Sequence, residues 1–226
     1  MKAMILAAGR GERMRPLTDS VPKALLEVGG KPLIAWQIER LAAAGIDDIV
    51  INHAYLGRLI EAALGDGARF GVRIAYSHEA EALDTAGGVA CALHLLGSDP
   101  FAVVSADIYC EYAYERLVSI ADAIEEHDRL GHLVLVDNPP FHPQGDFALE
   151  GDRTVRDGRT RLTYANIGVF RPGFFAGVRR GSKYPMLPLM LDAADAQRLG
   201  GERFSGAWEN VGTPAQLAAL DRRLRA

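Results

Sequence analysis

Along the first 137 residues, apolar runs bounded by glycine alternate with longer segments of helical periodicity. The run "KAMILAAG" predicts a buried first strand, followed by a long loop and a helix over "LIAWQIERLAAAG" that stops at Gly45. Three more pairs follow: "DDIVINHA" with a helix near Tyr55 to Leu64, "GVRIAYS" with a helix near Ala86 to Leu96, and "PFAVVSAD" with a helix near Tyr114 to His127. Such alternation predicts an α/β fold, a Rossmann-like three-layer sandwich whose mostly parallel central sheet opens a ligand crevice at the carboxyl ends of its strands. After "HLVLVDN" the texture changes to turns and short alternating stretches, which predicts a small antiparallel subregion laid over the crevice. The segment "ERFSGAWENVGTPAQLAALDRRLRA" predicts a strand, a tight turn and a helix with Thr213 as N-cap and Pro214 at its first position. There is no internal repeat, linker or low-complexity tract. Residues 1–226 therefore read as one domain with two halves, about 1–137 and about 138–226, leaving no room for a second catalytic module.

Composition narrows the classes. With 49% apolar and 24% charged residues the chain has the make-up of a soluble globular protein. No run approaches the roughly 18 apolar residues of a membrane span, and "MKAMILAAGRGERM" lacks a long apolar core with a cleavage site. The expectation is a cytoplasmic protein with no membrane partner. A net charge of −4 offers no global attraction to nucleic acid, so an anion site must be a local concentration of basic groups. Cys91 and Cys110 have neither metal-ligand spacing nor the density of a disulfide framework, and they read as reduced structural thiols.

The stretch "LAAGRGERMRPLTDSVPKALL", Leu6 to Leu26, is such a concentration. It follows the first strand, so its amides can converge on an anion at the crevice, and Gly9 and Gly11 let the backbone approach closely. It is not a Walker loop, and it lacks the third glycine of the dinucleotide fingerprint. Arg10, Arg13, Arg15 and Lys23 stand against Glu12 and Asp19, while Pro16 and Pro22 stiffen the chain. Glycines and charges alone fit a polyphosphate cradle and a solvated surface loop equally; the "PLT" and "PK" spacing favours the cradle. Farther along, "VVSADIY" ends a buried strand on Asp107, costly to desolvate unless it is paired or holds a cation such as Mg²⁺. The alternative is an aspartate that merely caps a turn.

"LAAGRGERMRPLTDSVPKALLEVGGKPLI" resembles the signature of the sugar-1-phosphate nucleotidyltransferases, which join a nucleoside triphosphate to a sugar 1-phosphate and release pyrophosphate. Gly9, Gly11, Arg13, Pro16, Leu17, Thr18, Pro22, Lys23, Lys31 and Pro32 match; Glu12 stands where the family usually has threonine. The resemblance implies a nucleotidyltransferase fold of the glycosyltransferase-A-like type. In it Leu6, Ala8, Gly9 and Gly11 wrap the nucleotide, Arg13 stabilises the departing pyrophosphate and Lys23 reaches the reacting phosphates. It implies that Asp107 holds Mg²⁺, although Ser105 and Ala106 replace the family's Asn-Gly before it. "WENVGTP" is similar to a family motif whose aspartate is the second metal ligand, and here that position is Asn210, with Glu209 as a weaker candidate ligand.

"LDTAGGVACAL" is similar to the family's helix start, where backbone near Gly87 would meet the base; close packing of small residues explains it as well. "VDNPPFHPQGDFAL" with "RLTYANIGVFRP" resembles the subgroup that transfers uridylyl from UTP to N-acetylmuramic acid 1-phosphate in cell-wall recycling. That implies a sugar site of Gly145, Asp146, Ala148 and Asn166. His142 reads as a surface loop residue rather than a partner for the lactyl carboxylate. Alternatives are a mannose-1-phosphate guanylyltransferase, a glucose-1-phosphate nucleotidyltransferase, a cytidylyltransferase, and a non-catalytic nucleotide-binding regulator. Nothing in the sequence specifies an oligomeric state.

Overall fold

A computed structural model describes residues 1–225 of the chain. The first strand, β1 (Lys2–Leu6), is buried on both faces, with Ala3 and Ile5 pointing to one apolar cluster and Met4 to another. The loop that follows leads through the two-residue pair β2 (Glu27–Val28) and β3 (Lys31–Pro32) into helix α1 (Leu33–Ala43). Its buried side chains, Leu33, Ile34, Gln37, Ile38 and Leu41, recur at helical spacing, and Gly45 ends the turn in the left-handed region at φ +74°. Then come β4 (Asp48–His53), α2 (Gly57–Leu64), β5 (Arg73–His78), α3 (Asp84–Leu96), β6 (Phe101–Ser105), β7 (Ile108–Cys110), α4 (Glu115–Ala123) and β8 (Gly131–Val136). The remainder holds β9 (Phe147–Glu150), β10 (Arg153–Val155), β11 (Arg161–Phe170), α5 (Leu187–Asp195), β12 (Leu199–Phe204), β13 (Trp208–Asn210) and α6 (Pro214–Arg225).

Nine of these strands form one sheet in the order β5-β4-β1-β6-β11-β8-β12-β10-β9. Neighbours from β5 to β6 are parallel, as strand and helix units require, and β8 with β12 is parallel too. Helices α1, α2 and α4 cover one face and α3 and α5 the other, giving the expected three layers.

One expectation is corrected. The antiparallel segment does not lie over the crevice: β11 runs inside the sheet between β6 and β8, antiparallel to both, and β9 and β10 extend its edge. The reason is apolarity on both faces, since Ile167, Gly168, Val169 and Phe170 are all buried, as in a central strand. The short ribbon of β7 and β13, not foreseen from periodicity, brings residues 108 and 210 side by side. Helix α6 begins as expected: the Gln216 amide donates to Thr213 Oγ1 at 3.3 Å, and Pro214 occupies the first turn.

Candidate active site

The Leu6 to Leu26 loop is exposed along most of residues 9–20 but is anchored to the core at Met14 and Thr18. It folds as three short 3-10 turns, Glu12–Met14, Leu17–Asp19 and Lys23–Leu25. Met14 is fully buried with Val28, Leu33, Val211 and Leu220, so the loop is clamped between α1 and α6. Thr18, only 2% exposed, donates Oγ1 to the Gly11 carbonyl at 2.8 Å. Gly11 lies at φ +69°, and a Cβ there would stand 3.0 Å from Lys23 Cβ and 3.1 Å from Thr18 Cγ2, so the turn requires glycine.

Packing sorts the four basic residues. The Arg10 guanidinium lies over the Tyr55 ring, 4.7 Å from its centroid, and Arg15 pairs with Asp19 at 3.2 Å. Lys23 Nζ bonds Asp107 Oδ2. Arg13 has no ion-pair partner among the described residues, and it lines a cavity of about 320 Å³ with Gly9, Gly11, Lys23, Asp107 and Gly212. This end of the crevice therefore presents one guanidinium without an ion-pair partner, an ammonium on a carboxylate, the Glu12 carboxylate, and backbone of three glycines.

Asp107 follows β6, with the Ala106 amide on the Leu6 carbonyl at 3.0 Å and the Val211 amide on the Asp107 carbonyl at 2.9 Å. Behind it Gln37, buried on the apolar stripe of α1, donates Nε2 to the Ile108 carbonyl at 2.6 Å. Asn210 pairs with Ile108 across the ribbon, and its Oδ1 is buried with no hydrogen-bond partner. A carboxylate and an orphaned amide oxygen on adjoining chain segments are hard donors of the kind Mg²⁺ accepts alongside phosphate oxygens. Together they would bring one protein charge instead of two; Asp107 lines the cavity of Arg13 and Lys23, and Asn210 lines a neighbouring one. Glu209 is committed elsewhere, in an ion pair with Arg223 at 3.0 Å. No cluster of three His, Cys, Asp or Glu side chains able to hold a metal occurs among the described residues.

A second cavity of about 230 Å³ shares Gly9, Lys23 and Asp107 with the first and extends along Leu6, Ala8, Ala82, Asp84 and Thr85. Its floor is a buried network. Asn52 accepts from the Ala7 amide at 2.9 Å and donates to Glu79 Oε1 at 2.7 Å, and Glu79 Oε2 accepts from the Leu83 amide at 2.8 Å. Burial holds the Glu79 carboxyl above its ordinary pKa, an effect its hydrogen bonds to Asn52 and Leu83 oppose. Gly87 is placed away from this cavity. A Cβ there would stand 2.3 Å from the Ser182 carbonyl, so this glycine serves close backbone packing, and Asp84, at φ +64°, and Thr85 face the cavity instead.

The third cavity, about 380 Å³, shares Leu6, Thr85 and Ser105 with the second and is lined by Arg13, His142, Asp146, Asn166, Trp208 and Asn210 among others. Strand β11 carries a register break between Tyr164 and Gly168 against β8, and there Asn166 takes φ +58°, a conformation asparagine tolerates better than most residues. Asp146 accepts from the Tyr164 amide at 2.8 Å. Of the remaining sugar-site expectations, Gly145 (φ +61°) forms the turn that delivers Asp146, and Ala148 lies buried in β9 away from the cavity.

Sequence reasoning missed Gln37, Asn52, Glu79 and Trp208. Polar residues on otherwise apolar strand and helix faces were the available signal for the first two; nothing in sequence joined Glu79 to Asn52. His142, read as a surface residue, lines the third cavity.

The conserved pattern of the nucleotidyl transferase family matches residues 2–155. The chain belongs to that family. This nucleotidyltransferase shares 50% identity with the N-acetylmuramate alpha-1-phosphate uridylyltransferase of Neisseria meningitidis over 96% of its own length and 95% of the relative's. The Caulobacter vibrioides protein of the same name is 37% identical, with 98% and 96% coverage. Among solved structures, a Bacillus anthracis protein provisionally named glucose-1-phosphate thymidylyltransferase, in complex with sucrose, superposes with a TM-score of 0.87 at 20% identity, covering 100% of this chain and 95% of that one. That likeness establishes the fold. No helix among the described residues is long and apolar enough to cross a membrane.

Proposed function

We propose that this chain transfers uridylyl from UTP to N-acetylmuramic acid alpha-1-phosphate, giving the UDP-sugar and pyrophosphate, in the cytoplasm. The observation that carries the reading is the 50% identity, extending across nearly the whole of both chains, to a uridylyltransferase of that specificity. The three joined cavities support it, because they offer a phosphate end, a nucleoside wall and a sugar end in one crevice. The nucleotide occupies the side built by residues 1–137 and the sugar the side completed by residues 138–226.

An oxygen of the sugar phosphate attacks the α-phosphorus of UTP in line; the bond from that phosphorus to the bridging oxygen of the β-phosphate breaks, and pyrophosphate leaves with the electron pair. No general base is needed, since a phosphate monoester with a second pKa of about 6 is already ionised at neutral pH. The chain's task is alignment and charge neutralisation. Gly9 and Gly11 bring backbone to the triphosphate, and Arg13 and Lys23 offset charge on the leaving pyrophosphate. Asp107 and Asn210 would hold Mg²⁺, which supplies positive charge against the phosphate oxygens when bound. For Lys23 to reach the phosphates, its bond to Asp107 must be exchanged for one to the nucleotide.

A pyrophosphate-release screen of four nucleoside triphosphates against muramic, glucosamine, glucose and mannose 1-phosphates tests the reading. UTP with N-acetylmuramic acid 1-phosphate should be preferred. Preference for GTP with mannose 1-phosphate would replace it with a guanylyltransferase. The missing charge at Asn210 favours one further reading, a nucleotide-binding regulator, which complete absence of turnover would support.

A further inference from the structure

Resting on the substrate proposed above, we infer that His142, oriented by Asp146, binds the carboxylate of the lactyl ether and so selects the carboxylate-bearing sugar. Of the side chains lining the third cavity, only Arg13 and His142 can carry positive charge. Arg13 also lines the phosphate cavity with Gly11 and Lys23, where the triphosphate claims it. His142 is left for a second anion.

Its geometry suits that role. The imidazole Nε2 is 3.0 Å from Asp146 Oδ1, and the other carboxylate oxygen of Asp146 accepts from the Tyr164 amide at 2.8 Å. The Asp146 main-chain carbonyl accepts from Arg161 at 2.6 Å, and the Asp146 amide donates to the Leu162 carbonyl at 2.7 Å. The carboxylate is thus fixed by β11 and in turn fixes the ring, as a second group commonly orients a functional histidine. Nδ1 makes no hydrogen bond among the described residues. As imidazolium, His142 donates Nε2–H to Asp146 and Nδ1–H to an incoming carboxylate, a charge-assisted bond. The histidine side chain is 39% exposed, so a ligand reaches it without displacing core. Asp146 acts here as a positioning residue, because both of its oxygens already have protein partners.

Two sugars that differ only in the lactyl ether at O3, N-acetylmuramic acid 1-phosphate and N-acetylglucosamine 1-phosphate, isolate the effect. The ratio of their kcat/KM values with UTP is measured for the parent and for His142→Gln, His142→Arg and Asp146→Asn, with folding checked by thermal unfolding. The parent ratio should favour the carboxylate sugar, fall about tenfold or more in His142→Gln and in Asp146→Asn through KM rather than kcat, and recover in part in His142→Arg, which restores the charge. A ratio unchanged in His142→Gln, or one that falls equally in His142→Arg, overturns the role of His142 while the uridylyl transfer itself stands. A parent that releases no pyrophosphate with N-acetylmuramic acid 1-phosphate overturns both.

Discussion

The two ends of the crevice are built in opposite ways. At the proposed phosphate end, the stretch from Leu6 to Leu26, with its local Thr18 to Gly11 hydrogen bond, supplies Gly9, Gly11, Arg13 and Lys23, and only Asp107 and Gly212 come from elsewhere. At the proposed sugar end, His142 and Asp146 come from a turn, Asn166 from a strand irregularity, and Trp208 and Asn210 from a ribbon more than forty residues later. A site made of one segment keeps its geometry wherever that segment folds. A site gathered from many segments can exchange its parts singly, which suits an end proposed to distinguish one sugar from another.

The contrast can be broken where the two ends meet. Asp107 serves the phosphate end but is held by residues of both, so Asp107→Ala should lower kcat/KM by about 10³-fold or more while circular dichroism and thermal unfolding stay near those of the parent. Near-parental pyrophosphate release would show that the site does not depend on this carboxylate. Asn166→Val sharpens the sugar side. A β-branched residue at φ +58° costs about 1–3 kcal/mol of stability, measured by denaturant unfolding, and removal of the amide should raise KM for the sugar phosphate several-fold with KM for the nucleotide little changed. The converse change, Thr18→Val, should cost about 1 kcal/mol and raise KM for the nucleotide by a smaller factor, with the sugar unaffected. Equal shifts in both KM values from either variant would mean that the two ends are not separable.

Legibility followed the same division. The strand and helix order of the first half, the loop after the first strand and the position of Asp107 at a strand end could all be read along the chain, because periodicity, prolines and glycine spacing are local properties. Gly87, where close packing was the equal alternative, lies against the 182–184 segment, and Ala148 is buried in β9; small residues pack against backbone as readily as they line a cavity, so local sequence does not separate the two. The antiparallel stretch was recognised as strands, yet its path was not, since turn chemistry does not say which sheet edge or interior a strand joins.

By itself the sequence determined the alternation that produces a layered α/β sandwich, and the short glycine-, arginine- and proline-rich loop after the first strand, since both arise from patterns a few residues apart. The tertiary structure decided the rest. It ran β11 through the middle of the sheet, set Asn210 beside Asp107 and turned Glu209 toward Arg223. It also sorted four equivalent-looking basic residues into one stacked on a ring, two paired and one, Arg13, facing the crevice. The physical reason is that charge pairing and donor convergence depend on distances between chain segments, and those exist only once burial of the apolar faces has fixed how the segments pack.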